Sequence, residues 1–127
     1  MAAFLHENNM TKILVLDDDH DILSLVETIL NMNKFSVKAI SNWEEIYSNM
    51  AEFEPDLILL DVMLNGADGR DICKKIHSDE ETGNIPVVLF SANPEMGKYT
   101  KDCMAQDFVA KPFSISGLLN TIKTHIN

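Results

Sequence analysis

The chain has 127 residues, 46% of them hydrophobic and 24% charged, which suits one domain around one core. Its formal net charge of −10 argues against nonspecific binding to nucleic acid or to an anionic membrane, since both need clustered Lys and Arg. The two cysteines, Cys73 and Cys103, fit no CxxC or zinc spacing, and no apolar run approaches the roughly 18 residues of a membrane span.

Residues 1–9 are neither basic nor long enough to be a secretory signal. Met10-Thr11-Lys12 looks like a second start, so 1–10 is expected to be a loosely ordered extension before a domain over 11–127. With seven methionines and no signal, the cysteines point to a reduced cytoplasm. Ile13-Leu14-Val15-Leu16 is a continuous apolar run ending in Asp17-Asp18-Asp19, and reads as strand one. Ile22, Leu25, Val26, Ile29 and Leu30 then fall on one face of a helix. Residues 35–40 alternate and are less apolar, so they read as an outer strand. Ser41 and Glu44 have the spacing of a capping box, and Trp43, Ile46, Tyr47 and Met50 make the next helical stripe. Pro55 closes that segment.

Asp56-Leu57-Ile58-Leu59-Leu60-Asp61 is the most apolar run, the signature of a strand buried on both faces. Gly66 and Gly69 punctuate the loop after it, and Ile72, Cys73 and Ile76 mark a third helix ending near His77. Pro86 opens strand four, Val87-Val88-Leu89-Phe90, which ends in Ser91-Ala92. Met96, Tyr99 and Cys103 suggest a short fourth helix. Residues 107–110 form a short fifth strand followed by Lys111-Pro112-Phe113, and Ile115, Leu118, Leu119, Ile122 and Ile126 give the last helical face. Five strands alternating with five helices predict an α/β fold, a flavodoxin-like doubly wound (βα)5 sandwich. Its parallel sheet has the order 2-1-3-4-5, with strands one, three and four in the middle.

In such a sheet the strand ends share one edge. Strand one ends in Asp17 and Asp18, strand three in Asp61, strand four in Ser91 and strand five in Lys111. Three carboxylates crowded into one pocket repel, and at least one tends to hold its proton. A hard divalent cation relieves that repulsion; Mg²⁺ suits one or two carboxylates plus a phosphate. The set fits phosphoryl transfer, with Asp61 as the nucleophile, Asp17 and Asp18 on the metal, and Ser91 and Lys111 on the phosphoryl oxygens. Taken singly, each residue has a plainer reading: Asp61 as a helix cap, residues 17–19 as a solvated helix start, Ser91 as a strand-end hydroxyl, Lys111 as surface.

The segments ILVLDDDHDI (13–22), DLILLDVMLNGADG (56–69), VVLFSA (87–92) and DFVAKPF (107–113) together resemble the receiver domain of two-component response regulators. The resemblance covers about residues 11–126 and implies further roles. Asp61 resembles the phosphoacceptor, which takes phosphate from a histidine on a sensor histidine kinase or a histidine phosphotransfer protein. Asp17, Asp18, Asp61 and the Met63 backbone carbonyl resemble the protein ligands of Mg²⁺, with Mn²⁺ as a substitute. Ser91 and Lys111 match the phosphoryl-binding pair, Lys111–Pro112 a cis peptide, and Phe108 the switch aromatic. A downstream protein target would bind the helix-four, strand-five and helix-five face, where Tyr99 is the exposed candidate and Ile115 and Leu118 are core. Direct nucleic-acid or membrane binding is not implied. Such a domain acts as a monomer or a phosphorylation-dependent dimer, and as a signalling phosphoacceptor rather than an enzyme.

The chain also departs from the family pattern. Asn65 stands where Pro is common, and Met104 where Gly is frequent; Met104 is strained if that position needs positive φ. By the same resemblance, Met63 and Asn93 stand at positions that in the family tune dephosphorylation. Met63 cannot hydrogen-bond a water, so a moderately long-lived phosphoaspartate is expected. Two rivals share parts of the pattern. A haloacid-dehalogenase-type phosphatase would want Thr or Val where His20 stands and a longer chain, and an FMN carrier would want a Ser/Thr/Gly-rich phosphate loop after strand one. A pseudo-receiver is disfavoured by the complete residue set. A stand-alone receiver is expected over a receiver fragment of a larger regulator or hybrid kinase, because the chain stops soon after the last helical face.

Overall fold

The structure is a computed structural model, and it describes residues 10–126. The expected extension over 1–10 falls almost wholly outside the described residues.

The continuous apolar runs form the strands. β1 (Lys12–Leu16), β2 (Ser36–Ile40), β3 (Leu57–Asp61), β4 (Val87–Ser91) and β5 (Asp107–Ala110) make one parallel sheet in the order β2-β1-β3-β4-β5. Every residue of β3 and β4 is buried, because helices cover both sheet faces and the flanking strands cover both edges. Side chains alternate between two cores. Ile13, Val15, Leu57, Leu59, Val88 and Phe90 pack toward α1 (His20–Met32) and α4 (Ile115–Thr124). Leu14, Leu16, Ile58, Leu60, Val87 and Leu89 pack toward α2 (Ile46–Phe53) and α3 (Gly69–Ser78).

Local chemistry sets several boundaries differently from the sequence reading. The Asn42 side chain, not a Ser41/Glu44 capping box, accepts the Glu44 N–H, and it starts a short 3₁₀ turn (Trp43–Glu45) ahead of α2. On α1 the buried face is Leu23, Val26, Ile29 and Leu30, while Leu25 is 51% exposed. The expected fourth helix is a 3₁₀ segment (Pro94–Tyr99) followed by turns, so it never builds an α-helical apolar stripe. Ile115, expected in the core, is 56% exposed in the first turn of α4, whereas Leu118 is fully buried. The Tyr99 side chain lies outside the described part.

Met104 does take a positive φ, 62°, and its side chain is half exposed. An L side chain in the left-handed region costs roughly 1–2 kcal/mol. Met104→Gly should therefore raise the unfolding free energy by about 0.5–1 kcal/mol after the entropy of the added glycine is counted. Urea denaturation measures this directly; an unchanged or lower midpoint would mean that the Met104 side chain contributes packing that offsets the backbone cost.

Candidate functional site

The register carries the polar strand ends to one edge. Leu16 pairs with Leu60, Asp61 with Phe90, and Ser91 with Ala110, so Asp17, Asp61, Ser91 and Lys111 emerge at nearly the same level. Backbone bonds continue past the strands: Asp17 N–H donates to Ile40 O at 3.2 Å, Val62 N–H to Phe90 O at 3.0 Å, and Lys111 N–H to Ser91 O at 2.9 Å. The acidic run after β1 divides its work. Asp19 caps α1 by accepting the Asp21 and Ile22 N–H groups, while Asp17 and Asp18 turn toward Asp61.

Carboxylate oxygens of Asp17, Asp18 and Asp61 all lie within 4.8 Å of one another. Asp17 is fully buried, Asp61 is 4% exposed, and Asp18 is half-buried. Lys111 answers this charge. Its Nζ donates to Asp17 Oδ2 at 2.7 Å, lies 3.5 Å from Asp61 Oδ1, and sits 4.5 Å from the centroid of the Phe90 ring. One ammonium does not neutralise three carboxylates. Burial, then the negative charge of Asp17, pushes the Asp61 carboxyl up to about 7, against the opposing pull of Lys111. The sequence expectation that one acid holds its proton thus falls on Asp61. The donor set consists only of hard oxygens, it converges, and it carries more negative than positive charge. Those properties fit a divalent cation of the Mg²⁺ type.

Ser91 is buried, and its Oγ accepts the Asn93 N–H at 3.1 Å. The Asn93 side chain caps the 3₁₀ segment through the Glu95 N–H. The Lys111–Pro112 peptide is cis. Phe108 is half-buried against the 3₁₀ segment; a Cβ added at Gly97 would meet its ring at 3.2 Å. Met63 is 64% exposed.

Two contributions at this edge lie outside the sequence reading. The loop after Asp61 is a small hairpin, with Met63–Leu64 antiparallel to Ala67–Asp68. Its turn holds Asn65-Gly66, with Gly66 at φ 87°, and the Asn65 N–H donates to Asp18 Oδ2 at 2.6 Å. That bond ties the acidic pair to the loop beyond Asp61. The Asn-Gly dipeptide is the signal the sequence offers for it. The other is Gly69, the first residue of α3, whose N–H donates to Val62 O at 2.7 Å. A Cβ there would lie 2.1 Å from the Asp61 carbonyl oxygen. Gly69→Ala should force α3 away from the end of β3 and cost about 3 kcal/mol or more. Urea unfolding would read this. A loss below about 1 kcal/mol would show that the Asp61 backbone moves freely.

Comparison with known proteins follows the same outline. The family model described as the response regulator receiver domain matches residues 13–123. The DNA-binding dual master transcriptional regulator RpaA of Synechocystis sp. is 32% identical over 116 residues, which are 90% of this chain and 48% of that protein. The chain thus spans about half the length of the curated relatives it matches. The Vibrio cholerae chemotaxis protein CheY4 superposes with a TM-score of 0.85 at 23% identity, covering 92% of this chain and 99% of that one. The response regulator TrrA of Thermotoga maritima, solved in complex with Mg²⁺-BeF, gives 0.84 at 23% identity, covering 92% and 100%.

Proposed function

We propose that this chain, which belongs to the response regulator receiver domain family, accepts a phosphoryl group on Asp61 in a Mg²⁺-dependent reaction. The donor is a phosphohistidine on a sensor kinase or phosphotransfer protein. The observation that carries this reading is the packing of Asp17, Asp18 and Asp61 within 4.8 Å, with Lys111 Nζ 3.5 Å from Asp61.

In this reading an Asp61 carboxylate oxygen attacks phosphorus, the P–N bond breaks, and the imidazole nitrogen leaves with the electron pair and takes up a proton. Asp61 must be ionised to attack, so its raised pKa makes a compensating cation part of the chemistry. When bound, Mg²⁺ would supply positive charge to the phosphoryl oxygens. Asp17, Asp18, Asp61 and the Met63 carbonyl would hold it. Lys111, freed from part of its contact with Asp17, would pair with a phosphoryl oxygen. Ser91, whose Oγ accepts the Asn93 N–H, would move to donate its hydroxyl to a phosphoryl oxygen, and Phe108 would turn into the vacated space. The two packings of the 3₁₀ segment, β5 and α4 would form the signal read by a protein partner. The cytoplasm, where such kinases present phosphohistidine, is the compartment that suits this chemistry; among the described residues no helix is long and apolar enough to cross a membrane.

The test is intact mass after incubation with acetyl phosphate and Mg²⁺. The expected result is one added phosphoryl group, absent with EDTA and absent in Asp61→Asn. No gain in the wild type would point to a pseudo-receiver. Because exposed Met63 cannot position water, the added group should decay over minutes rather than seconds. A time course of the same mass shift decides that, and loss within seconds would refute it. A second reading is that the same reaction serves a receiver joined to further domains. The half-length match to the curated relatives, RpaA among them, favours it.

A further inference from the structure

A second group of reactive side chains lies away from the acidic edge, under α3. Cys73 is on the inner face of α3 and fully buried; Cys103 is in the turns before β5 and 2% exposed. The residues are 30 positions apart, yet Cys73 Sγ donates to the Cys103 carbonyl oxygen at 3.2 Å. Cys103 Sγ donates to the Thr100 carbonyl oxygen at 3.6 Å. His77, one turn along α3, closes the group: its Nδ1 is 3.6 Å from Cys73 Sγ and 3.2 Å from Cys103 O, and its Nε2 faces Ile85 O at 3.0 Å. Neither thiol forms a disulfide in the structure.

We propose that Cys73 and Cys103 are a redox-linkable pair, and that their oxidation to an intramolecular disulfide fastens α3 to the turns leading into β5. Three features support it. Cys73 Sγ already lies 3.2 Å from the carbonyl oxygen of Cys103, so α3 and the turns meet at these two residues and the thiols can be joined without refolding α3. The Cys103 segment has no α-helix, since 3₁₀ and turn bonds span residues 94–104. Its neighbour Met104 is held at φ 62°. Such a segment opens locally at lower cost than a packed helix and exposes Cys103 first. Burial, and then the nearness of Cys103, holds the Cys73 thiol well above the usual range, so Cys73 is the resolving partner rather than the first to react.

With hydrogen peroxide as oxidant, the Cys103 thiolate attacks one oxygen and the O–O bond breaks. Hydroxide leaves and takes a proton to become water, and Cys103 becomes a sulfenic acid. Cys73, deprotonated as it approaches, then attacks that sulfur. The S–O bond breaks, the S–S bond forms, and a second water leaves. In sum, two thiols and one peroxide give one disulfide and two waters. A thiol reductant reverses it.

The pair can be tested without the receiver reading, using the full chain and the thiol oxidant diamide, which spares the exposed methionines. After treatment, the protein is denatured, alkylated with iodoacetamide and mapped as peptides. The expected result is that alkylatable thiols fall from two to none, that one cross-linked peptide joins the segments containing Cys73 and Cys103, and that dithiothreitol restores both thiols. The thermal midpoint should rise with the link and return on reduction. Two alkylated cysteines after prolonged treatment, or only intermolecular dimers, would overturn the proposal. Wild-type mapping carries the test, so it stands even if Cys73→Ser or Cys103→Ser fails to fold. A link that forms in a protein taking no phosphate would count against the phosphoacceptor reading alone.

Discussion

In EDTA, the unfolding free energy of the wild-type protein should fall relative to that of Asp61→Asn as pH rises from about 4 to about 8. The cause is the Asp61 carboxyl, pushed up to about 7 in the folded chain by burial and by Asp17, against an ordinary value of 3.8. Between those values the folded chain holds a proton that the unfolded chain has released. The stability tied to Asp61 is therefore fully present below about 4 and is lost as pH rises through about 7. The separation corresponds to on the order of 4 kcal/mol. Asp61→Asn lacks the carboxyl, so the difference curve reports the ionisation at residue 61. Urea unfolding at a series of pH values measures it. Asn cannot ionise, so Asp61→Asn should be the more stable protein at pH 8 without metal, and added Mg²⁺ should narrow the gap by favouring the wild-type carboxylate. Parallel curves would mean that Asp61 is not the acid that carries the excess charge.

Lys111→Met should be the most damaging loss of a charged group at this edge. The ammonium is 2.7 Å from fully buried Asp17 and 3.5 Å from Asp61, with its side chain only 13% exposed. Removing it leaves carboxylates in a low-dielectric site without a counter-charge. Breaking a buried pair from one side costs about 3–5 kcal/mol, mostly the cost of the orphaned partner. The double variant Lys111→Met/Asp17→Asn should regain a large part of that loss, because the orphan is gone. Urea unfolding of the four proteins in the cycle at pH 8 in EDTA gives the coupling. A single-variant loss under about 1 kcal/mol would mean that water or another group already balances Asp17.

These effects depend on an edge that is largely legible in the chain. Strands β1, β3 and β4 are buried on both faces, so they are written as unbroken apolar runs. A parallel sheet then places the residue after each run at one edge, which is why Asp17, Asp61, Ser91 and Lys111 can be grouped from their positions in the chain. What is not legible depends on geometry finer than periodicity. Leu23 rather than Leu25 faces the sheet, a choice between neighbouring apolar positions that helical spacing alone does not settle. Asn42 outcompetes Ser41 as a cap by one residue. Two-residue strands flanking Asn65-Gly66 are too short to alternate visibly, so the bond from Asn65 to Asp18 has no signal beyond the Asn-Gly turn. Pro94 and Gly97 leave only a 3₁₀ segment where the apolar spacing predicts an α-helix. The Cys73–Cys103 contact joins elements 30 residues apart, and no local spacing announces it.

The most direct measurement locates the phosphoryl group. Protein treated with acetyl phosphate and Mg²⁺ is reduced with borohydride, which converts an aspartyl phosphate to homoserine, and the product is sequenced by tandem mass spectrometry. Homoserine is expected at residue 61, with residues 17 and 18 left as aspartate. Homoserine at 17 or 18, or at no position in a protein that has gained phosphate, would contradict it.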